Sequence, residues 1–471
     1  MVSFFVIDMS LLVLFILFAS VFLYRKRRNL KKEGSLFLYK TSWGIKLIDY
    51  IGKKYQRTLK LLSYISISIG YVLMAGIIYL MGNSVYLYLT TEIAKTLKAP
   101  PIAPLIPYFP KLFGLQSFFP DFFFVYFIVA ILIVATAHEF SHGIFARRFG
   151  IRIKSTGFAF FKYLPAFFGA FVEQDDKQMN QSKKFAQMSV LSAGVFANVI
   201  VAIGFYFLLF LFFTATFIPS GIQFNIYSQS LVNVEDISSI NGLSVTSYEE
   251  LLNLTNDSTK LNRISTKEMD YFGTREGLFD QRGQEQIILS DSPALEYQLG
   301  KIITEIDGEK ITSLEKLKAK IGSYSPGDEI EIKTIKKNNT SIDKLKLGEH
   351  PEKEGVAWLG VRFYGSAQGT FSKFVSTIFP SYKKPFVYYK PKSEAHIFIK
   401  NLIWWVFIIN ILVALFNMLP LGILDGGRFF YLTILGITGS ENLAKKSFRA
   451  MTYFILLLFF LLVIKWLFSL F

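Results

Sequence analysis

Long apolar runs dominate the hydrophobic pattern of this chain. A nearly uncharged stretch of about 18 or more residues crosses a hydrocarbon core of about 30 Å. Residues 3–24, 61–90, 121–146, 185–218, 401–419 and 450–471 meet that length, so six membrane-spanning helices are predicted. Between the fourth and fifth runs the pattern changes. Residues 220–395 carry short strand-like runs separated by turn signals such as DGEK and SPGDE. Within them VEDISSINGLSVTSYEELLNL (234–254) parallels LGKIITEIDGEKITSLEKLKA (299–319). Each reads as a strand, an Asn-Gly or Asp-Gly turn, a short strand, and an amphipathic helix opened by Ser or Thr.

Composition agrees with a membrane protein: 52% of residues are hydrophobic and 50 are phenylalanine. The formal charge of +16 could suggest nucleic acid, but the basic residues crowd beside the apolar runs, and no nucleic-acid partner is expected. Twelve Lys and Arg residues lie between Arg25 and Lys60, against three (Lys95, Lys98, Lys111) in the next loop. The first loop is therefore read as cytoplasmic. Alternation then puts the N-terminus and residues 220–395 outside, and RRFGIRIK and DGGR inside. The first run is read as a retained anchor, because its positive charge follows the apolar part, whereas a cleaved signal carries it in front. The proline-rich KAPPIAPLIPYFPK is read as non-helical. The chain has no cysteine, so any metal must be held by His, Asp or Glu.

Two of only four histidines stand in ATAHEFSHGIFARRFG, at the inner end of the third run. On a proline-free helix His138 and His142 lie one above the other and can hold one ion. Glu139, one step around the helix, can act on metal-bound water without being a ligand. Sixteen uncharged residues (122–137) precede the motif. An ionisable group in such a place costs roughly 2.5 to 3.5 kcal/mol, which metal coordination would offset. At 1.5 Å per residue the pair sits roughly 7 to 15 Å deeper than Arg147 and Arg148. A tetrahedral zinc with one open position needs a third protein ligand. His350 and His396 fall on the outer side. FNMLPLGILDGGR (416–428) offers Asp425, in a stretch that Pro420 and three glycines predict to be unwound. The alternative for Asp425 is capping of the helix that follows.

HEFSH in one span, NMLPLGILDGG in a later one and a β-rich insert between spans four and five resemble the site-2 protease family of intramembrane zinc metalloproteases, in its six-span form. The insert resembles a bacterial-type PDZ domain, clear over about 290–365, with a second, partial unit before it. The resemblance implies one Zn²⁺ held by His138, His142 and Asp425, with Glu139 as general base. It implies substrate or oxyanion roles for Asn417 and Asn198, although Asn198, beside the small-residue stripe Ser189, Ala193 and Ala197, also reads as a helix-packing residue. GFAFFKYLPAFFGAFVE (157–173), with Gly169 and Phe171, resembles the family's membrane-associated β-hairpin, whose edge could pair with an unwound substrate. Ile423 stands where many relatives have proline.

The expected organisation is two leading spans (1–92), an outer loop (93–120), the first half of a catalytic core (121–219), a PDZ-like region (220–395) and the second half of the core (396–471). The expected fold is polytopic α-helical with an inserted extracytoplasmic domain, in the plasma membrane. The expected function is hydrolysis of a peptide bond in or near the transmembrane segment of membrane-protein substrates in the lipid bilayer. The PDZ-like domain would filter those substrates or bind a peptide terminus. The rivals are a membrane metal transporter or sensor, which predicts polar residues strung across the bilayer, and a catalytically inactive PDZ-bearing scaffold.

Overall fold

The computed structural model describes residues 4–91, 105–164, 166, 168–255, 260–267, 269–336, 339–365, 376–377 and 379–468. Among them six helices are long and apolar enough to span a membrane: α1 (Phe4–Arg25), α3 (Gln56–Thr90), α4 (Phe124–Arg148), α5 (Lys184–Thr216), α6 (Glu394–Asn417) and α8 (Glu441–Phe468). The protein is therefore a polytopic, multi-pass membrane protein. Several helices outrun the apolar windows, since a helix can continue through charged residues at the membrane surface; α3 begins at Gln56 and α6 at Glu394. Large apolar side chains such as Leu14, Leu17 and Phe18 are exposed on α1, as lipid-facing residues are.

The chain divides into two compact units, Met1–Phe212 with Ile397–Phe471, and Phe213–His396. In the first, a β-hairpin and a helix come from the loop that the sequence marked only as basic. β1 (Leu30–Glu33) and β2 (Leu36–Thr41) form a hairpin. It extends the hairpin of β3 (Ile153–Phe161) and β4 (Phe168–Gln174) into one antiparallel sheet of order β1-β2-β3-β4. The predicted hairpin is thus half of a four-stranded sheet, and β4 is one of its two edges. Lys40 on β2 and Ser155 on β3 both donate to the Glu173 carboxylate on β4. These contacts, the Lys40 bond first, hold Glu173 below the usual glutamate range.

Helix α2 (Ile45–Lys54) follows the first hairpin and packs on the C-terminal half of α4. Ile48 is fully buried there, and a Cβ on Gly52 would lie 2.7 Å from the Arg147 Cβ. That close approach needs glycine. Arg147 donates to Asp49 at 3.2 Å, so the basic C-terminal end of α4 is tied to α2. Of the proline-rich stretch, residues 98–104 lie outside the described residues. The remainder is not wholly non-helical as expected: Phe109–Leu112 forms one turn, with Pro110 near its start where a missing N–H is harmless.

The second unit has two hydrophobic cores, around Ile240, Leu251 and Ile264, and around Ile306, Leu317 and Ile332. They belong to two copies of one local plan. In the first, Ile237–Ile240 turns into Leu243–Ser244, followed by helix Tyr248–Asn253 and strands Leu261–Thr266 and Asp270–Thr274. In the second, Ile302–Ile306 turns into Glu309–Lys310, followed by helix Leu314–Ile321 and strands Glu329–Lys336 and Asn339–Lys346. Both turns place two residues at positive φ, Asn241-Gly242 and Asp307-Gly308. Both helices are N-capped by serine: Ser247 Oγ accepts from Glu250 N, and Ser313 Oγ from Lys316 N, each at 3.2 Å. Strand pairing also matches: the last strand pairs with the third, the third with the first, and the first with the short second. The first copy therefore does continue, through Leu261–Thr266 and Asp270–Thr274, which the sequence did not reveal.

Candidate metal centre

α4 carries His138, Glu139 and His142 in its C-terminal half. α6 ends at Asn417, residues 418–424 are not helical, and α7 (Asp425–Thr438) begins at the aspartate. Two glycines make this reversal possible. A Cβ on Gly426 would lie 2.3 Å from the Met418 carbonyl carbon, and one on Gly427 would lie 2.1 Å from the Leu421 oxygen. Only glycine lets the first turn of α7 fold against the unwound loop, and this aims Asp425 at α4. The N-cap of α7 is Leu424, with no side-chain cap bond, so the Asp425 carboxylate is not spent on capping. Arg428, one turn in, donates to Asn180 at 2.6 Å and Gln187 at 2.9 Å, anchoring α7 beside the start of α5.

Three donor atoms converge. His138 Nε2 and His142 Nε2 are 3.0 Å apart, and Asp425 Oδ2 lies 3.2 Å from the first and 3.3 Å from the second. The tetrahedral edge for zinc–ligand bonds near 2.0 Å is about 3.3 Å, so this triangle has the dimensions of three zinc ligands. Residues 287 positions apart in sequence form the site.

The other ring nitrogens are held. His142 Nδ1 donates to the Val190 carbonyl of α5 at 2.7 Å, which leaves the Nε2 lone pair for a metal. His138 Nδ1 lies 3.1 Å from the Asn198 side-chain amide, whose Oδ1 is buried without a partner when the amide nitrogen faces the ring. Turned end for end, the amide accepts Nδ1–H through Oδ1, again freeing Nε2. Asn198 thus stands behind a histidine.

Gly194, one turn before Asn198 on α5, closes the space. A Cβ there would lie 2.5 Å from His142 Nε2 and 2.6 Å from His138 Nε2, inside the volume a metal and its open position need. Sequence reading passed over Gly194. The available signal was a glycine four residues from the polar Asn198 in a membrane-spanning run.

A cleft of about 470 Å³ opens onto these atoms, lined by His138, Glu139, His142 and Asp425 together with Gly169 and Asn417. Ile423, 93% exposed, lies at its rim. Phe171 lines a separate, smaller cavity with Trp43 and Phe140, which Glu139 and Val172 also border. Glu139 Oε2 accepts the Val172 N–H of β4 at 3.0 Å, so the carboxylate next to the first histidine touches the edge strand. His350 and His396 both belong to the other unit.

Two histidines four apart on one apolar helix and an aspartate that opens another after an unwound stretch define the class, a polytopic membrane protein with a His-His-Asp group able to hold a metal ion. The sequence profile of peptidase family M50 matches residues 126–463, more than half of the chain. The protein belongs to that family of membrane-embedded zinc metalloproteases, and it is a peptide-bond hydrolase whose substrates are membrane proteins. It is also similar to uncharacterized protein MJ0971 of Methanocaldococcus jannaschii, 27% identical over 420 residues that cover 88% of this chain and 82% of that protein.

Proposed function

We propose that the protein cuts a peptide bond in or near a transmembrane segment, with one zinc ion on His138, His142 and Asp425 and with Glu139 as general base. The observation carrying this reading is the triangle of two imidazoles and one carboxylate at zinc-ligand spacing, beside a non-ligand glutamate. When bound, zinc would supply Lewis acidity toward a peptide carbonyl and make water easier to deprotonate. Glu139 takes the proton of the attacking water and returns it to the leaving amine, the two halves of acid–base catalysis by one carboxylate. Asn417 lines the same cleft, where it can donate to substrate backbone or the developing oxyanion. The role of Asn198 is to orient His138 rather than to touch substrate.

A helical substrate hides its carbonyls in its own hydrogen bonds and must unwind before attack. The edge of β4 supports a place for the unwound stretch. Val172 N–H turns away from β3 toward Glu139. In an antiparallel ladder residues two apart point the same way, so the backbone groups of Ala170 and Phe168 face that free edge too. Gly169 and Phe171 serve the same strand as its alternate residues.

The charge asymmetry of the loops supports a centre toward the cytoplasmic side and a second unit outside the cell membrane. The duplicated plan of that unit supports a pair of PDZ-like modules that filter substrates or hold a peptide terminus. A transport role predicts a polar track, yet the side chain of Asn410 donates to Val406 of its own helix and the Asp8 carboxylate is engaged by backbone N–H groups. The test is Glu139→Gln in protein reconstituted with a single-span substrate. Bound zinc should persist while cleavage stops; cleavage at the original rate would remove Glu139 from the mechanism.

A further inference from the structure

Asp8 is a carboxylate in the leading span α1, and it is fully buried. Three donors meet it. Phe124 N–H and Val125 N–H reach Oδ2 and Oδ1 at 2.7 and 3.1 Å, and the Tyr108 hydroxyl donates to Oδ2 at 2.5 Å. Phe124 and Val125 are the first two residues of α4, the helix that carries His138, Glu139 and His142. The N-cap residue of α4 is Phe123, which has no side chain able to accept those N–H groups. In lipid, unpaired N–H groups at a helix start are costly, and a carboxylate beside them also complements the helix dipole.

From this we infer that Asp8 is the N-cap of the catalytic helix, supplied in trans by the leading span, and that it is a positioning residue for the metal centre. Tyr108 completes the node: its backbone N–H donates to the Phe122 carbonyl at 2.6 Å, so the outer loop, α1 and the start of α4 are pinned at one point. Burial first, and then the hydrogen bond to Asp8, raise the Tyr108 pKa, which keeps its hydroxyl a donor. From Phe124 to His138 is 14 residues, or about 21 Å of helix at 1.5 Å per residue. A helix acts over that distance as a rod, so a slip at the capped end moves both histidines and Glu139 against Asp425 and β4. The leading span, which the sequence suggested was an anchor, becomes part of the catalytic scaffold.

This inference rests on the protease reading and is tested on the full chain. Asp8→Ala should lower kcat on the order of ten- to a hundred-fold, as sub-ångström to ångström misplacement does, with KM little changed because β4 is untouched. Asp8→Asn keeps one acceptor oxygen and Tyr108→Phe removes one donor, so both should fall between Asp8→Ala and the unaltered protein. The decisive variant adds Phe123→Asp to Asp8→Ala. Phe123 has the extended backbone of an N-cap (φ −74°, ψ 158°), so an aspartate there caps α4 in cis and should restore kcat. The visible spectrum of the cobalt-loaded protein should shift in Asp8→Ala and return in the double variant. Unchanged kcat and spectrum in Asp8→Ala overturn the inference, as does a loss that the cis cap fails to restore. If Asp8→Ala does not fold, the graded pair decides, and wild-type kcat in both Asp8→Asn and Tyr108→Phe overturns it. Absence of cleavage by the unaltered protein would count against the protease reading instead, and the cobalt spectrum would still report on the cap.

Discussion

The His138, His142 and Asp425 site and the apolar cores of the second unit are held in different ways. Around α4 several buried or half-buried polar groups are held by specific partners: His142 by Val190, His138 by Asn198, Asp8 by the start of α4 and Tyr108, Arg428 by Asn180 and Gln187. In the second unit, apolar side chains such as Ile306, Leu317 and Ile332 form a core from a plan used twice. Polar commitments fix geometry and tolerate little, whereas an apolar core loses stability by degrees. Substitutions in the first region should therefore remove function at once, and those in the second should lower stability while leaving the metal in place.

Gly194→Ala is the harshest test of that contrast. Its Cβ would crowd both imidazole nitrogens, so bound zinc per chain should fall close to zero, and cleavage with it, in a chain that still folds; near-stoichiometric zinc would mean the site is roomier than described. Asn198→Ala should weaken metal affinity by about 10- to 100-fold, the usual effect of removing a partner behind a ligating histidine, as read by competition with a chelator. Leu317→Ala should destabilise the second unit by about 2 to 5 kcal/mol with no change in zinc content, which denaturation followed by metal analysis would separate. Ser247→Ala and Ser313→Ala should each cost about 1 kcal/mol, and a similar loss in both would sharpen the equivalence of the two copies.

The smallest effect concerns the sheet. Glu173 has a depressed pKa in the folded protein, so its bond to Lys40 contributes stability that is fully present above the ordinary glutamate value and is lost as pH falls through the lowered one. For a partly exposed pair that contribution is about 0.2 to 1 kcal/mol. Hydrogen exchange in β2 and β4 should quicken on acidification, and Lys40→Met should flatten that response.

What the sequence disclosed follows from these physics. Membrane spans read well because an apolar run of sufficient length has few other uses, and HEFSH and LDGG read well because ionisable groups in lipid demand a reason. β1, β2 and α2 were hidden. They lie among lysines and arginines that signal orientation, and their order comes from packing on β3 and α4, as at Ile48 and Gly52. Gly194 was hidden because its requirement belongs to two histidines on another helix. Asp8 was visible as an isolated polar residue, but its partners are backbone N–H groups more than a hundred residues away, which no side-chain pattern marks. The first copy in the second unit was half legible: its Asn-Gly turn and serine cap are local signals, while its later strands, LNRIST and DYFGT, are defined by their pairing.

X-ray absorption of the zinc-loaded protein reads the proposed centre itself, one zinc ion shared by His138 and His142 of α4 and Asp425 of α7. One zinc per chain is expected, with two imidazole nitrogens and oxygen ligands at about 2.0 Å, together with a loss of zinc in Asp425→Ala. A spectrum with fewer than two imidazoles, or an Asp425→Ala protein that retains full zinc with an unaltered spectrum, would contradict it.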